Sequence, residues 1–537
     1  VPSVLPRIIR LPDVSEANSR HCFVFLEDML MFYAARFFVG YDLLEARAFR
    51  ITRDADLYID EEDAQDLVVE VERQLKKRQR GQAVRLEFEV GTSRFMRRFM
   101  TQEMNLEKED MYQIDGPLDM TVFFGFCGIK GYNHLRYPEA HPHSPWSMLE
   151  LKRTPETNIF DMIREKDLLI HLPYESFDES VVNFLYSAAN DKDVLAIKQT
   201  LYRVSSSSPV VQALEKAVQN GKQVTVLMEV KARFDEANNI LMARRLEKAG
   251  AHVIYGLVGL KTHSKCTLVI RREKDGIRRY VHVATGNYNA STAKLYTDLG
   301  ILTCNDRFGI DASAFFNLLS GYSDPPIWDS FIVAPINLRQ RCIELIDREI
   351  HFAKNGEDAH MIAKMNSLLD KGIIEKLYEA SQAGVKIELI VRGICVLIPG
   401  IPGVSDNITV RSIVGRFLEH SRIFWFRNGG REELYISSAD WMPRNLNDRV
   451  ELMVPIEDPE IKRRLKQMVD IELSDNQKAH IMQADGTWLK TISAENQLCA
   501  QEYFQKIAEK RDAEDEMTLA QKLEPYTPVL GHGDGSD

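Results

Sequence analysis

The chain has 537 residues, of which 45% are hydrophobic and 27% charged, with a formal net charge of −11. A chain of this length is too long to fold around a single hydrophobic core, so several domains are predicted. The acidic balance argues against a nucleic-acid partner, because general nucleic-acid binders present a basic surface. No apolar run approaches the roughly 20 residues that a membrane span needs. Seven cysteines without a CxxC pattern predict reduced thiols in a cytoplasmic protein.

The first 150 residues differ in character from the rest and predict a small α+β head domain. Residues 23–38 predict an apolar helix, residues 83–90 alternate cleanly and predict a half-buried strand, and residues 93–104 predict a second helix. A loop rich in proline and histidine, residues 136–155, marks the end of this domain. Because the chain begins with valine rather than methionine, we expect a fragment or a processed chain.

The remainder of the chain repeats one order of elements. Residues 151–323 contain a strand pattern, a helix pattern and a second strand pattern at 194–203, 210–219 and 223–229. Residues 324–510 contain the same series at 361–366, 373–382 and 386–392. Such repetition predicts two similar α/β domains. Residues 511–537 are charged and end in a glycine-rich segment, which predicts a disordered tail.

Each half carries one histidine in a similar setting. His263 and Lys265 alternate with apolar or β-branched residues, which predicts a single strand with both side chains on one face. An imidazole beside an ammonium, followed by the turn at residues 286–287, suits attack on a phosphorus centre. The alternative is a surface strand whose two polar residues face water. A second copy at His420, 420 − 263 = 157 residues later, favours a site shared between the halves.

The pattern HxK followed by a GxN-type turn, present twice, resembles the phospholipase D superfamily. The acid that follows the lysine in that superfamily is replaced here by Ile270 and Arg427, and the second lysine is Arg422. Neither a P-loop nor a GxGxxG signature occurs. Further blocks resemble polyphosphate kinases of the phosphohistidine type, in order, from the start of the chain to about residue 480, among them residues 232–240, 284–289, 292–298 and 437–442.

This resemblance implies an α/β fold with two tandem phospholipase D-like domains, each with a central mixed sheet, behind the head domain. It implies reversible transfer of the ATP γ-phosphate to inorganic polyphosphate, assisted by Mg²⁺, through a phosphohistidine. By position, His263 is the nucleophile, and His420 is the partner that handles protons and touches the nucleotide. The ATP-binding positions are Tyr296, Arg392 and His420, and the Mg²⁺–phosphate region is at Arg203 and Arg233.

Positive side chains are expected to stabilise the charge that a phosphoryl transition state spreads over its oxygens. Because a guanidinium has only donors, Arg203 and Arg233 are interpreted as phosphate clamps beside the metal. For Arg449 and Glu451, two apart on a predicted strand, a structural ion pair and a role in the site are equal alternatives. A buried structural role is favoured for Cys266. The candidate phosphate-binding residues are Arg203, Arg233, Lys265, Arg422 and Arg449, and Lys265 is also a catalytic candidate.

Two other functions remain open. A phosphodiesterase of the same superfamily would use the same histidines without depending on ATP. A non-catalytic fragment would bind polyphosphate or nucleotide and form no phosphohistidine. The resemblance further implies ATP or ADP and polyphosphate as partners, a homodimer or homotetramer, and peripheral association of a cytoplasmic protein with the inner membrane. It also implies an N-terminal helical domain ahead of the head domain.

Overall fold

The computed structural model describes residues 4–12, 21–55, 67–78, 81–149, 157–321 and 327–522, with side chains as far as residue 511. The chain divides into two compact units, Val1–Glu139 and Ala140–Asp537. The first unit ends before the head-domain boundary predicted at residue 150, and the junction predicted after residue 323 lies outside the described residues. No helix in the described ranges is both long enough and apolar enough to cross a bilayer.

The first unit is a small α+β body around a three-stranded sheet. Its strands are β1 (Ile8–Arg10), β2 (Phe23–Phe25), β3 (Phe49–Arg53), β4 (Ala83–Glu89) and β5 (Met111–Ile114). Its helices are α1 (Leu26–Phe32), α2 (Ala34–Phe37), α3 (Leu67–Arg78) and α4 (Arg94–Met104). Strand β4 is antiparallel to β3 and parallel to β5, and its buried Leu86 and Phe88 pack with Met100 of α4. The predictions of a strand at 83–90 and a helix at 93–104 are thereby confirmed.

The prediction of one helix over residues 23–38 is wrong in two respects: the first residues form a strand, and the rest form two helices instead of one. Residues Phe23–Phe25 form β2, which pairs antiparallel with β1. Helix α1 begins only at Leu26 and is separated from α2 at Tyr33. The apolar run is equally compatible with a strand, and pairing with a segment about 15 residues upstream decides between the two.

The second unit begins with an α/β half built on an eight-stranded mixed sheet. The strands of this half are β6 (Leu168–Leu172), β7 (Val194–Leu201), β8 (Gln223–Met228), β9 (His252–Tyr255), β10 (Lys261–Thr262), β11 (Cys266–Glu273), β12 (Gly276–Ala284) and β13 (Tyr296–Thr303), of which β10 joins the sheet of the other half. Its helices are α5 (Ile159–Glu165), α6 (Asn183–Asn190), α7 (Pro209–Gln219), α8 (Glu236–Ala249) and α9 (Asp306–Leu319). Strands β7, β8 and β9 are parallel to one another, whereas β11 is antiparallel to β7 and β12, and β13 is antiparallel to β12 and β6.

The other half repeats this plan around a ten-stranded mixed sheet. The strands of this half are β14 (Ile332–Ala334), β15 (His360–Met365), β16 (Lys386–Val391), β17 (Ile408–Ile413), β18 (Leu418–Glu419), β19 (Arg422–Phe426), β20 (Glu433–Ser437), β21 (Arg449–Pro455), β22 (Ala479–Met482) and β23 (Trp488–Lys490), of which β18 joins the sheet of the first half. Its helices are α10 (Leu338–Lys354), α11 (Lys371–Gln382), α12 (Pro443–Asn447), α13 (Pro459–Leu473) and α14 (Ala500–Lys522). Helix α14 continues to Lys522, so residues 511–522 of the predicted disordered tail are helical, and residues 523–537 lie outside the described part.

One hydrophobic core joins the two halves. It contains Leu268 and Val281 from the first half and Trp425 and Leu452 from the second, all almost fully buried. Burial of about 25 cal/mol per Å² of apolar surface makes such a core the main stabilising contribution of the contact between the halves. The predicted fold class, two tandem α/β domains each with a central mixed sheet behind a small α+β head, is confirmed.

The predicted single strand through His263 and Lys265 is wrong. Strand β10 ends at Thr262 and β11 begins at Cys266, so residues 263–265 link two strands that belong to different sheets. Strand β10 pairs in parallel with β21 of the other half, placing Lys261 opposite Arg449. In the same way β18 pairs with β13, placing Leu418 opposite Tyr296. Each half therefore attaches its histidine segment to the sheet of the other half.

Candidate active site

His263 lies where β10 leaves the sheet of the second half. Its backbone N–H donates to the carbonyl oxygen of Val450 at 2.9 Å, and its ring is 7% exposed. Nδ1 is 2.9 Å from both carboxylate oxygens of Glu451, and the ring of Tyr202 stands edge-on with centroids 4.8 Å apart. A carboxylate accepts but does not donate, so Nδ1 carries the ring proton. Within the described part of the chain, Nε2 makes no hydrogen bond, and its lone pair is available.

Further hydrogen bonds fix the position of Glu451, the residue that orients the His263 ring. This fully buried carboxylate on β21 also accepts hydrogen bonds from Ser438 Oγ and Asn445 Nδ2, each at 2.5 Å. Burial raises the pKa of Glu451, and the nearby charges of Lys265 and Arg449 oppose that rise. Glu451 pairs with His263 across the interface between the halves, which favours the site role among the two alternatives left open by the sequence.

His420 has an equivalent partner in Asp298 of the first half. Its Nδ1 is 2.8 and 2.9 Å from the two oxygens of Asp298, and Thr285 Oγ1 donates to the same carboxylate at 2.6 Å. Burial disfavours ionisation of Asp298, yet the charge of His420 and the hydrogen bonds from His420 and Thr285 lower its pKa overall. The pKa of His420 is itself lowered, chiefly by burial, which the charge of Asp298 partly offsets.

Sequence reasoning assigned no role to Asp298, although the repeat contains a signal for it. Asp298 and Glu451 are 451 − 298 = 153 residues apart, and the hydroxyls that donate to them, Thr285 and Ser438, are separated by the same 438 − 285 = 153. Aligning the halves on the strands after the histidines, instead of on the histidines themselves, would have paired these carboxylates. Tyr296 and Arg449 are equivalent by the same offset, 449 − 296 = 153.

Buried cations surround the two histidines. Lys265 is 2% exposed, its Nζ donates to the carbonyl oxygen of His263, and burial lowers its pKa to about 7. Arg422 is held by both oxygens of Asp440 at 3.1 Å, and its Nη1 donates to the carbonyl oxygen of His420 at 2.7 Å. Burial, followed by the charges of Lys265 and the neighbouring arginines, lowers the pKa of His263 well below its usual value. His263 is therefore a neutral imidazole at physiological pH.

The predicted ATP-binding residues lie around His420. The rings of Tyr296 and His420 have centroids 5.2 Å apart, inclined at 48°. Arg392 is half-buried and its Nε donates to Asn366 Oδ1 at 2.9 Å, while Asn366 Nδ2 donates to the carbonyl oxygen of His420 at 3.1 Å. Burial lowers the pKa of Arg392. One asparagine thus ties Arg392 to the His420 segment.

The two arginines of the predicted Mg²⁺–phosphate region lie together. Arg203 follows β7 directly after Tyr202, the residue in contact with the His263 ring. Its Nη2 donates to the carbonyl oxygen of Arg233 at 3.2 Å, and its Nε is 3.3 Å from Asp235. The exposed Arg233 lies over the ring of Phe234. Among the residues that the structure describes, no group of three or more His, Cys, Asp or Glu side chains could hold a metal ion.

Cys266 lies next to this site without taking part in it. The thiol is fully buried, and burial raises its pKa. A thiol that does not ionise is neither a nucleophile nor a metal ligand. The predicted structural role of Cys266 is confirmed.

Two neutral histidines, each oriented through Nδ1 by a carboxylate from the opposite half, lie among buried cations between the two α/β halves. Such a site contains the groups that phosphoryl transfer needs: a nucleophile, a proton carrier and positive charge. Three family models match the chain: the polyphosphate kinase middle domain over residues 1–126, C-terminal domain 1 over 158–325 and C-terminal domain 2 over 331–501. The chain belongs to the polyphosphate kinase family.

Individual relatives agree with these family models. The chain is 52% identical over 482 residues to the polyphosphate kinase of Halalkalibacterium halodurans, covering 89% of this chain and 67% of that protein. It is 49% identical over 499 residues to the enzyme of Bacillus anthracis, covering 92% and 70%. The crystal structure of the polyphosphate kinase from Porphyromonas gingivalis superimposes with a TM-score of 0.81 at 32% identity, covering 95% of this chain and 74% of that one. The chain thus spans about two thirds of the curated relatives' length.

Proposed function

We propose that this chain reversibly transfers the γ-phosphate of ATP to the end of an inorganic polyphosphate chain, through a phosphohistidine at Nε2 of His263. The observation that carries the proposal is the neutral, buried imidazole whose Nδ1 proton is held by Glu451. In the first step Nε2 forms a bond to the γ-phosphorus, and the bond to the β,γ-bridging oxygen breaks, so that ADP leaves with the electron pair. In the second step a terminal polyphosphate oxygen attacks the phosphorus, and the P–N bond returns its electron pair to Nε2.

Glu451 acts as the positioning residue for this nucleophile. The imidazole gains positive charge as Nε2 bonds to phosphorus, and the carboxylate 2.9 Å from Nδ1 is placed to stabilise that charge. The hydrogen bond also selects the tautomer with Nδ1 protonated, which keeps the attacking lone pair on Nε2. The Ser438 and Asn445 donors hold the carboxylate still, so little reorganisation is needed during reaction.

Lys265 and Arg422 provide the positive charge that faces the transferred phosphoryl group, with Arg449 as a further phosphate contact. Arg422 cannot lose its proton, and its bidentate contact with Asp440 fixes the guanidinium plane. Lys265 has a pKa of about 7 in the free site, and a bound phosphate favours its charged form. Lys265 is therefore fully protonated, and positively charged, once the anionic substrate is bound.

His420, with Tyr296 and Arg392 beside it, forms the nucleotide side of the site. Asp298 holds the proton on Nδ1 of His420, so Nε2 is the atom that exchanges a proton with the leaving or attacking phosphate oxygen. Tyr296 offers a ring face near His420, and Arg392 offers donors to a phosphate group. These assignments give the two halves distinct tasks: covalent transfer at His263 and nucleotide contact at His420.

An enzyme of this family uses a divalent metal ion, which we propose is Mg²⁺. Arg203 and Arg233 have no acceptor and cannot ligate it. Mg²⁺ keeps several waters and is usually bound by one or two carboxylates together with substrate phosphates. The residues present fit an ion of this kind, because Asp235 beside Arg203 would supply one carboxylate ligand and the substrate phosphates would supply others. When bound, the ion neutralises charge on the transferred phosphate, and the two arginines clamp the phosphate oxygens.

The competing functions have less support. A phosphodiesterase of this superfamily carries an acid where this chain has Ile270 and Arg427. A non-catalytic fragment would have no need of two histidines whose tautomers are each selected by a buried carboxylate. A cytoplasmic location, association as a homodimer or homotetramer, and peripheral contact with the inner membrane remain predictions of the family resemblance.

Incubation with γ-labelled ATP and Mg²⁺ tests the proposal. We expect acid-labile, alkali-stable label on the protein that chases into long acid-insoluble chains. His263→Ala should abolish the label while ATP affinity stays within about threefold of the unaltered protein. His252→Ala, at an exposed histidine that begins β9, is the matched control and should label normally. Normal labelling of His263→Ala would exclude His263 as the nucleophile.

A further inference from the structure

A buried charge cluster lies behind His420, and the reaction described above does not use it. We define the Glu419 cluster as Glu419, Lys364, Glu472 and Gln501, each 4% exposed or less. Lys364 Nζ donates to Glu419 Oε2 at 2.6 Å and also to Glu472 Oε1. Gln501 Nε2 donates to Glu419 Oε1 at 2.6 Å. The cluster thereby connects β15, β18, α13 and α14 through side chains alone.

This cluster reaches the backbone of His420 through one hydroxyl group. Thr297 Oγ1 donates to Glu419 Oε2 at 2.8 Å and accepts the backbone N–H of His420 at 3.2 Å. Thr297 is itself the neighbour of Asp298, whose carboxylate orients the His420 ring. Two adjacent residues of β13 therefore hold His420: Asp298 contacts its ring, and Thr297 accepts its backbone N–H.

The local backbone alone holds His420 weakly. Strand β18 has only two residues, Leu418 and Glu419, and its pairing with β13 covers only those two positions. Gln501 adds two hydrogen bonds to the backbone of Phe417, one donated and one accepted, each at 2.9 Å. A segment with so few ladder bonds depends on side chains for its position.

We propose that the Glu419 cluster positions His420 for nucleotide contact and proton transfer, so that the C-terminal helices α13 and α14 set the geometry of the site. This inference rests on the proposed function of His420. A buried ammonium between two carboxylates is costly to assemble and adds little net stability compared with apolar side chains. Its hydrogen bonds are directional, however, and a histidine displaced by even about 1 Å costs up to about 10²-fold in rate. The cluster therefore contributes less to the stability of the fold than apolar side chains would, but it fixes the position of the histidine.

The first test uses the smallest change that separates the cluster from His420. Thr297→Val keeps the side-chain volume and removes the linking hydroxyl, whereas Thr297→Ser keeps the hydroxyl. We expect kcat to fall about 10-fold in the valine variant, with KM for ATP within about twofold, and to recover in the serine variant. Equal kcat in the two variants would overturn the proposal, because a merely structural residue would change the melting temperature only.

A second variant tests the distant end of the cluster. Gln501→Met, on α14, removes the donor to Glu419 and the two hydrogen bonds to the Phe417 backbone while leaving every residue of β13 and β18 unchanged. We expect a loss of kcat in the same direction as for Thr297→Val. It also avoids the folding risk of Lys364→Met, which would leave two carboxylates without their cation. An unchanged kcat in Gln501→Met would show that α14 has no part in placing His420.

A measurement that does not depend on enzyme activity distinguishes failure of this inference from failure of the proposed function. Histidine ring NMR of the ¹³C-labelled full chain, with the His420 signal identified by its loss in His420→Gln, reports the ring directly. The signal should shift in Thr297→Val and stay in place in Thr297→Ser. If the unaltered protein forms no phosphohistidine, the proposed function fails and this shift alone decides the positioning role. An unshifted signal in Thr297→Val overturns that role whether or not the protein is a kinase.

Discussion

The contact between His263 and Glu451 leads to the most direct prediction about the chemical step. Glu451→Gln preserves the size of the side chain and one acceptor oxygen but removes the negative charge beside Nδ1. The glutamine oxygen can still hold the Nδ1 proton, because both carboxylate oxygens lie 2.9 Å from that nitrogen. The amide NH2 of the glutamine can face Ser438, because a hydroxyl accepts as well as donates, while its oxygen still accepts from Asn445. The main change is therefore the loss of charge beside Nδ1 during the attack by Nε2.

The expected magnitude follows from the distance between Nδ1 and the carboxylate. At 2.9 Å and an effective dielectric of about 20, a full imidazolium charge interacts with the carboxylate by about 6 kcal/mol. If roughly half of that charge has developed in the transition state, the lost stabilisation is about 3 kcal/mol, which corresponds to a rate roughly 10²-fold lower. ATP binding precedes charge development on the ring, so KM for ATP should stay within about threefold.

Rapid-quench measurement of label transfer from γ-labelled ATP to the protein, in a single turnover at pH 8, gives the rate of the first step. Glu349→Gln is the matched control, because Glu349 on α10 is also a buried carboxylate and accepts the backbone N–H groups of His360 and Asn428, away from the site. It should lower the melting temperature and leave the labelling rate unchanged. Labelling of Glu451→Gln at the unaltered rate, or an equal slowing in Glu349→Gln, would refute the reasoning.

Two further predictions concern buried groups of the first half. Burial lowers the pKa of His282 to about 3, so below pH ~6.5 the unfolded chain binds a proton that the folded chain excludes. The free energy of unfolding should therefore fall with decreasing pH by up to about 1.4 kcal/mol per unit from this group, a slope that urea titrations should find missing in His282→Met. A Cβ at Gly286 would lie 2.3 Å from the Asp298 carboxylate, so Gly286→Ala should displace the partner of His420 and lower kcat. Gly372→Ala, which meets only an ordinary contact in α11, should leave kcat unchanged, and equal activities in the two variants would contradict this account.

Local sequence patterns were sufficient where an element's own residues decide its structure. The strand at 83–90 and the helix at 93–104 were predictable because alternation, and a serine cap whose Oγ accepts the N–H of Met96, are local signals. The repeat was equally visible, since the helices and strands upstream of each histidine recur in order. These patterns, together with the motifs around His263 and His420, predict two related α/β halves with one histidine each.

Predictions failed where a distant partner decides the structure. The break between β10 and β11 arises because Lys261 pairs with Arg449, 449 − 261 = 188 residues away, and the segment must then return to its own sheet. No residue pattern within the segment around His263 indicates that β10 pairs with the sheet of the other half. The short strand β2 is a smaller case of the same kind, since its pairing with β1 overrides an apolar run that suits a helix.

The sequence by itself determined the family, the two histidines, the cations near them and the α/β class, because motif and periodicity depend on residues close together in the chain. Only the tertiary structure decided that Glu451 and Asp298 are the partners of the histidines, and that His263 is buried, so that burial is the main cause of its lowered pKa. Hydrogen-bond partners and desolvation depend on which atoms meet after the halves have packed. The lowered pKa of His263 is accordingly a property of the interface rather than of the HxK motif.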